Sequence, residues 1–270
     1  MQSTSKRNRL KVVTRRLVLM GSLFGCATAL IGCSSAGTTT VTNNLALVKG
    51  LNAYIPATGV DGTLAITTGS TSFGSLAFGV LGGNISVTAG SFTASATGTG
   101  IATPLTLAAP VTLGGNNSPY ILAAMGQEGQ VGALAPQLAV IPGYTTNQFV
   151  IPVGQDAIRV VNLSLNPNPL GFYHTLGAAV TTPVMGAFTS LNYGYDGAAN
   201  AYVLINTVQL RDFAIVDSTA PTVPLTLDSR TNLGTQVIQT AQAYTLYIYG
   251  QSGSVTHPLT AKWVLDYSLF

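Results

Sequence analysis

Ala243-Tyr244-Thr245-Leu246-Tyr247-Ile248-Tyr249, followed by Gly250, is an unbroken run of aliphatic, aromatic and β-branched residues that ends at a glycine. Residues of these types favour strands, and so short an apolar run is typical of a strand rather than a helix. Similar runs recur along the chain and are separated by clusters of Gly, Asn and Pro that are typical of turns. The sequence therefore predicts an all-β protein made of antiparallel β-sandwiches of immunoglobulin or transthyretin type. The other runs are Ser91–Thr97, Asn200–Asn206, Val208–Ile215 and Ala261–Tyr267.

Four short motifs occur twice in the same order, and this predicts a tandem duplication. The two occurrences are about 112, 115, 120 and 124 residues apart, and the steady increase is what loop insertions in the second copy would produce. The predicted sandwich domains are residues 44–145 and 156–270. The paired motifs are Leu47-Val48-Lys49 with Arg159-Val160-Val161, Leu76–Gly79 with Leu191–Gly194, Pro104–Leu107 with Pro224–Leu227, and Tyr120–Leu122 with Tyr244–Leu246.

The first 33 residues predict export and lipid attachment. A basic start leads into the apolar segment Leu17–Ile31, whose length suits a signal peptide and is short of the ~20 residues of a membrane span. Leu30-Ile31-Gly32-Cys33 resembles the bacterial lipobox, in which a small residue precedes the cysteine whose thiol receives the lipid. We therefore expect a signal peptide over residues 1–32, cleavage between Gly32 and Cys33, and a flexible tether over residues 33–43. The membrane is then a partner through the lipid on Cys33.

The same segment indicates a location. Ser34 follows the cysteine, which favours the outer membrane of a Gram-negative envelope. Arg15 and Arg16 stand side by side, so the export route is either the general secretory pathway (Sec) or the twin-arginine pathway.

Processing would reverse the charge of the chain. The whole sequence has 11 basic and eight acidic residues, a formal net charge of +3. Six basic residues and no acid precede Cys33, so the mature chain has five basic and eight acidic residues and a net charge of −3. No basic patch remains, and nucleic acid is therefore not an expected partner. The two cysteines, Cys26 and Cys33, leave no pair for a disulfide in the mature chain.

The second copy has a specific order of motifs. Arg159-Val160-Val161-Asn162-Leu163-Ser164 is followed by a turn containing prolines, then by Leu170-Gly171-Phe172-Tyr173, Tyr193-Gly194 and Tyr244–Gly250. This order resembles the bacterial domain-of-unknown-function family 4397 (DUF4397). The resemblance covers most of residues 156–267 and, more faintly, residues 46–141, where Lys49-Gly50-Leu51-Asn52 takes the place of the Val-Asn-x-Ser motif. It implies secreted or lipid-anchored β-sandwich domains in tandem and implies no reaction.

Candidates for catalysis are few. His174 and His257 could act as the base of a hydrolase, but no Gly-x-Ser-x-Gly turn presents a nucleophilic serine. Neither the His and Cys spacing of a zinc site nor the acid spacing of a calcium loop occurs. We therefore predict no catalytic residues, no metal and no cofactor.

Aromatic residues crowd the second copy and provide the candidate binding surface. Tyr247 and Tyr249 share one face of their predicted strand, and Trp263 and Tyr267 share one face of another. Rings on an exposed face stack on sugars or form protein interfaces, whereas rings on a covered face fill the core.

The sequence thus favours a lipid-anchored, non-catalytic envelope protein that binds or scaffolds another envelope protein or a glycan. Two alternatives remain open. One is an extracytoplasmic hydrolase that uses His174 or His257. The other is a structural component of a surface layer or appendage.

Overall fold

The computed structural model describes residues 43–56, 62–145, 148–176, 179–198, 200–206, 213–227 and 241–268. The chain divides into two units, Met1–Thr40 and Val41–Phe270. The first unit lies outside the described residues, and so do the predicted signal peptide, the cleavage site at Gly32 and the lipid site at Cys33. Within the part of the chain that is described, no helix combines the length and the apolar character that crossing a membrane requires.

The described residues confirm the predicted all-β class. Their regular structure consists of strands and two single 3-10 turns, Gly132–Leu134 and Gly186–Phe188. Residues 45–142 contain β1 (Leu45–Asn52), β2 (Leu64–Thr68), β3 (Thr71–Leu76), β4 (Ile85–Thr88), β5 (Gly90–Phe92), β6 (Ser95–Gly98), β7 (Leu105–Thr106), β8 (Val111–Leu113), β9 (Ser118–Met125) and β10 (Gln137–Pro142). Residues 155–268 contain β11 (Gln155–Ser164), β12 (Leu170–Leu176), β13 (Ala179–Pro183), β14 (Val203–Asn206), β15 (Phe213–Asp217), β16 (Gln242–Gly250) and β17 (Thr260–Ser268). We call residues 45–142 the first half and residues 155–268 the second half.

The largest sheets of the two halves have the same strand order. It is β4-β1-β9-β10 in the first half and β14-β11-β16-β17 in the second. In both sheets the central pair is parallel, β1 with β9 and β11 with β16, and the outer pairs are antiparallel. The prediction of antiparallel sheets was therefore wrong for the central pairs. Most strands between β1 and β9, and between β11 and β16, belong to other sheets, so the chain crosses over and returns in its original direction.

Smaller sheets complete each half. The first half adds the sheets β3-β2-β6-β7 and β5-β8, and the second half adds β13-β12-β15. In each half, one face of the largest sheet packs on these smaller sheets through an apolar cluster.

A third apolar cluster joins the two largest sheets. Leu51 and Ile121 of the first half pack there with Val161 and Tyr247 of the second half. Both faces of the large sheet are thus covered, and β11 and β16 are buried over nearly their whole length. This double burial explains why their sequences are continuous apolar runs without a polar alternation.

A buried asparagine makes the same hydrogen bonds in each half. Asn162 Nδ2 donates to the carbonyl of Leu191 over 2.9 Å, and its Oδ1 accepts from the backbone N–H two residues ahead over 3.0 Å. Asn52 Nδ2 donates to the carbonyl of Leu76 over 2.9 Å, and its Oδ1 accepts from the corresponding N–H over 3.2 Å. These side chains tie each inner strand to the turn that follows Leu76 or Leu191.

The equivalent hydrogen bonds of the two asparagines correct the alignment of the first motif pair by two residues. Aligning Asn52 with Asn162 places Lys49 level with Arg159, whereas the sequence comparison paired Lys49 with Val161. A strand that is apolar on both faces fits its copy almost equally well after a shift of two residues, because such a shift keeps every side chain on its original face. With this alignment, Leu51-Asn52 occupies the place of Val161-Asn162.

Equivalent turns of the two halves contact the opposite half. Gly79 of the first half lies against Tyr249, whose hydroxyl donates to the Gly79 carbonyl over 3.3 Å. A Cβ on Gly79 would lie 2.8 Å from the Tyr249 ring, and a Cβ on Gly194 of the second half would lie 3.9 Å from Met125 Cε. The contact between the halves is therefore reciprocal, as in a twofold interface between identical subunits.

Candidate binding clefts

Arg159 places a buried positive charge in the middle of β11. It is 2% exposed and lies on the same face of the strand as Val161, which packs between the two largest sheets. Its Nε donates to Thr245 Oγ1 on the neighbouring strand β16 over 2.7 Å. Its Nη2 is buried, and the buried Tyr247 hydroxyl lies within hydrogen-bonding reach of the guanidinium.

The guanidinium of Arg159 lies over two tyrosine rings. Arg159 Cζ lies 4.5 Å from the ring centroid of Tyr202 and 5.6 Å from that of Tyr195. A cation over the face of an aromatic ring is stabilised by the ring quadrupole, and more so when water is excluded. Arg159 is therefore positioned by Thr245 and by two rings, without an ion pair among the described residues.

Asp266 on β17 is the closest counter-charge, but hydroxyl groups separate it from the guanidinium. Its Oδ2 accepts from the Tyr202 hydroxyl over 2.6 Å and from the Thr245 hydroxyl. Burial raises the pKa of Asp266, while Arg159 and the two hydroxyl donors oppose that rise. Burial alone would lower the pKa of Arg159, but the nearby Tyr247, Tyr202 and Asp266 outweigh it and raise the pKa. The Arg159 guanidinium is therefore charged at every pH at which proteins are normally folded.

A polar cleft of about 320 Å³, which we call the Lys49 cleft, lies beside Asp266 where the two large sheets meet. Lys49 and Asp266 contribute opposite charges, and the remaining polar lining consists of amide and hydroxyl groups. Asn116 and Asn117 form its rim in a left-handed turn, with φ values of 58° and 57°. The other polar residues that line it are Asn84, Ser118, Tyr120, Tyr144 and Thr145.

A second cleft of about 300 Å³, which we call the Arg159 cleft, lies on the other side of Tyr202. Arg159, Tyr195 and Tyr202 line it together with the exposed Gln148 and with Phe149. The other residues that line it are Gly197, Asn200 and Ala201.

An aromatic cluster divides the two clefts. Tyr144, which lines the Lys49 cleft, makes edge-to-face contacts with Phe149 and Tyr202, with centroid separations of 5.3 Å and 5.6 Å. Phe149 and Tyr202 line the Arg159 cleft. The clefts are therefore neighbours, the first lined by both Lys49 and Asp266 and the second by Arg159.

The candidate binding aromatics lie in different surroundings. Tyr247 is 0% exposed and Tyr249 is 3% exposed, so the two rings form part of the core between the large sheets and do not present an exposed platform. Their strand is covered on both faces, which the sequence pattern alone did not reveal. Trp263 is half-buried and packs against the apolar cluster of the second half. Tyr267 pairs with Ala243 along β17.

The two histidines occupy separate sites. His174 lies on β12 beside Phe213, with ring centroids 5.6 Å apart, and burial lowers the pKa of His174. His257 is buried before β17 and lies edge-on to Phe78. Among the described residues, no carboxylate is hydrogen bonded to His174, and no three residues of the types His, Cys, Asp and Glu are grouped as metal ligands.

The sequence analysis did not single out Arg159, Tyr202, Thr245 or Asp266 as a group. Two signals could have found them. Arg159 interrupts the apolar run Ala157–Val161, and Asp266 interrupts Trp263–Tyr267. A charge within an apolar strand is rarely buried unless a partner compensates it, so such a position predicts a polar cluster.

No model of a known protein family matches the chain, and no curated protein sequence matches it.

Proposed function

We propose that this protein is a lipid-anchored, non-catalytic binding module of the bacterial envelope, built from two tandem β-sandwich domains of the DUF4397 type. The lipobox at Leu30–Cys33 supports the anchor. The shared strand order and the reciprocal contacts of Gly79 and Gly194 support two tandem domains. The outer membrane is the proposed site of the anchor.

The Lys49 cleft is the observation that carries the binding role. Amide and hydroxyl groups that both donate and accept hydrogen bonds line it, and its volume of about 320 Å³ is in the range of small-ligand sites. The side chains of Lys49, Asn84 and Asn116 make no hydrogen bonds to other described residues. These groups match the alternating donors and acceptors of sugar hydroxyls, so a glycan is the ligand that the cleft fits best.

Substitution of Cys33 tests the anchor. In Cys33→Ala we expect loss of the protein from the membrane fraction, because the thiol that would carry the lipid is absent and stable attachment needs more than one acyl chain or a second membrane-binding signal. The measurement is the mass of the N-terminal peptide from membranes of both strains. A diacyl or triacyl adduct on Cys33 supports the proposal, and an unmodified peptide or a different N-terminus contradicts it.

A photo-crosslinking residue at Asn116 tests the ligand. Asn116 is exposed on the rim of the Lys49 cleft, so we expect it to capture a glycan in intact cells. The matched control is the same residue at Asn192, which is also exposed but does not line this cleft. Capture of a glycan at Asn116 and not at Asn192 supports the role, whereas capture of a protein would redirect it to a protein partner. Equal yields at both positions would contradict a binding role for the cleft.

A further inference from the structure

Lys49 lacks the acceptor that its counterpart in the second half uses. In the alignment set by the buried asparagines, Lys49 is level with Arg159. Arg159 lies beside Thr245 of the neighbouring strand, whose Oγ1 accepts from its Nε over 2.7 Å. Lys49 lies beside Ile121, whose side chain has no polar atom. The half-buried Lys49 ammonium lines the cleft without a hydrogen bond or ion pair to any described residue, so it has donors to offer a ligand.

Asp266 presents a carboxylate oxygen to the same cleft. Its Oδ2 accepts from the hydroxyls of Tyr202 and Thr245, which holds the carboxylate in place. Its Oδ1 makes no hydrogen bond within the described part of the chain and is not buried. Because Asp266 is half-buried and lines the Lys49 cleft, this second oxygen is open to a donor that enters the cleft.

The two charges share the cleft without neutralising each other. Lys49 belongs to β1 of the first half and Asp266 to β17 of the second half. Burial raises the pKa of Asp266, and the Lys49 charge is among those that oppose this rise, so the two groups are close enough to interact. They form no ion pair with each other. A ligand in the cleft therefore meets a cation from one half and an anion from the other.

We propose that the Lys49 cleft binds a zwitterionic amino sugar, whose carboxylate pairs with Lys49 and whose ammonium pairs with Asp266. The inference rests on the proposed glycan-binding role and adds the charge class of the ligand. Charge-assisted hydrogen bonds are roughly twice as strong as neutral ones. Two of them therefore select a sugar that carries both charges over a sugar that carries one or none.

The remaining lining suits the sugar ring. The volume of about 320 Å³ is at the lower end for ligand sites, so one sugar unit fits better than a longer segment. Asn84 and Asn116 are exposed, line the cleft and make no hydrogen bonds to other described residues. Their amides both donate and accept, as ring hydroxyls require.

Calorimetric titration of the full-length protein, purified in detergent, tests this assignment with three sugars. Muramic acid carries an ammonium and a carboxylate on one glucose-derived ring, N-acetylmuramic acid keeps only the carboxylate, and glucosamine keeps only the ammonium. We expect muramic acid to bind at least about tenfold more tightly than either of the others, because each lacks one charge-assisted hydrogen bond. Added salt should reduce this preference, since it screens both charge pairs.

Matched lysine variants assign the carboxylate contact to this cleft. Lys49→Gln removes the ammonium, and should weaken binding of muramic acid about tenfold without weakening binding of glucosamine. Lys262→Gln removes the same charge at a position that does not line this cleft. It should change binding of muramic acid by less than about twofold, because the lost charge is not in contact with the ligand.

Asp266→Asn tests the ammonium contact. The amide keeps an oxygen for the hydroxyls of Tyr202 and Thr245 but carries no charge. Binding of muramic acid should weaken about tenfold, whereas binding of N-acetylmuramic acid should not weaken. If this variant does not fold, the preference of the unaltered protein for muramic acid over N-acetylmuramic acid still tests the contact.

Three results would overturn the assignment. They are equal binding of the three sugars, equal effects of Lys49→Gln and Lys262→Gln, and no binding of muramic acid. Equal binding of these sugars and of glucose would leave the proposed glycan role in place, whereas no binding of any sugar would contradict both proposals. γ-Aminobutyrate carries the same two charges without a ring, so equally tight binding of this probe would exclude recognition of the sugar.

Discussion

Replacing Gly250 by alanine is expected to lower the free energy of unfolding by about 4 kcal/mol, the sum of a strained left-handed backbone and overpacking against backbone atoms. Gly250 ends β16 with a φ of 89°, and a Cβ there would lie 2.2 Å from the Pro258 carbonyl oxygen. A main-chain carbonyl cannot rotate away as a flexible side chain does. The measurement is urea unfolding of the mature protein, followed by the near-ultraviolet signal of the buried tyrosines.

Gly253→Ala is the matched control. Gly253 lies three residues further along the same loop and has a φ of 78°, but nothing lies within 4 Å of the position that a Cβ would occupy there. Only the backbone strain remains, so we expect a loss of about 1–2 kcal/mol. Equal losses in the two variants would show that the carbonyl contact at Gly250 is not limiting.

Gly250 also belongs to the strand that carries part of the candidate site. β16 carries Thr245, which binds both Arg159 and Asp266, and Gly250 ends that strand. The first half has the same arrangement at Gly126, which follows β9 with a φ of 94°. A Cβ added at Gly126 would lie 2.3 Å from the Ala135 carbonyl oxygen. The repeated geometry indicates that close approach of the returning chain is a requirement of the strand order, not of one loop.

Much of the fold follows from local sequence. The run Ala243–Tyr249 is a strand within a residue of its predicted bounds, and the motif Leu76–Gly79 has the same surroundings as Leu191–Gly194. The direction of the central strands could not be predicted from the sequence. The same apolar run can pair in parallel or antiparallel fashion, and the choice depends on which sheet the intervening strands join. The sequence comparison also missed the two-residue shift between Lys49 and its copy, because both registers bury the same faces of the strand.

The site was less accessible to sequence reasoning than the fold. Aromatic content drew attention to Tyr247 and Tyr249, yet the packing of two large sheets against each other buries these rings. No local pattern predicts that contact, which depends on the relative placement of the two halves. The lone charge Arg159 in an apolar strand was the better signal, because burial of a cation demands compensation wherever the strand lies.

Replacing Asn162 by leucine is expected to lower the free energy of unfolding by about 3 kcal/mol, because each buried polar group that loses its partner is destabilising by about 1–3 kcal/mol. The carbonyl of Leu191 and the N–H and hydroxyl of Ser164 all bind this side chain. Leucine has the same branched arrangement of four side-chain heavy atoms and is bulkier, so the loss does not come from a cavity. Urea unfolding measures it, and faster amide exchange at Ser164 should accompany it.

Two further substitutions separate this cause from a general effect of leucine. Asn192→Leu changes an exposed asparagine next to Leu191 and should alter stability by less than about 0.5 kcal/mol. Asn52→Leu removes the equivalent bonds in the first half and should destabilise to a similar extent as Asn162→Leu, since Asn52 also ties its strand to a following turn at Leu76. If only Asn162→Leu were destabilising, the two asparagines would not be equivalent.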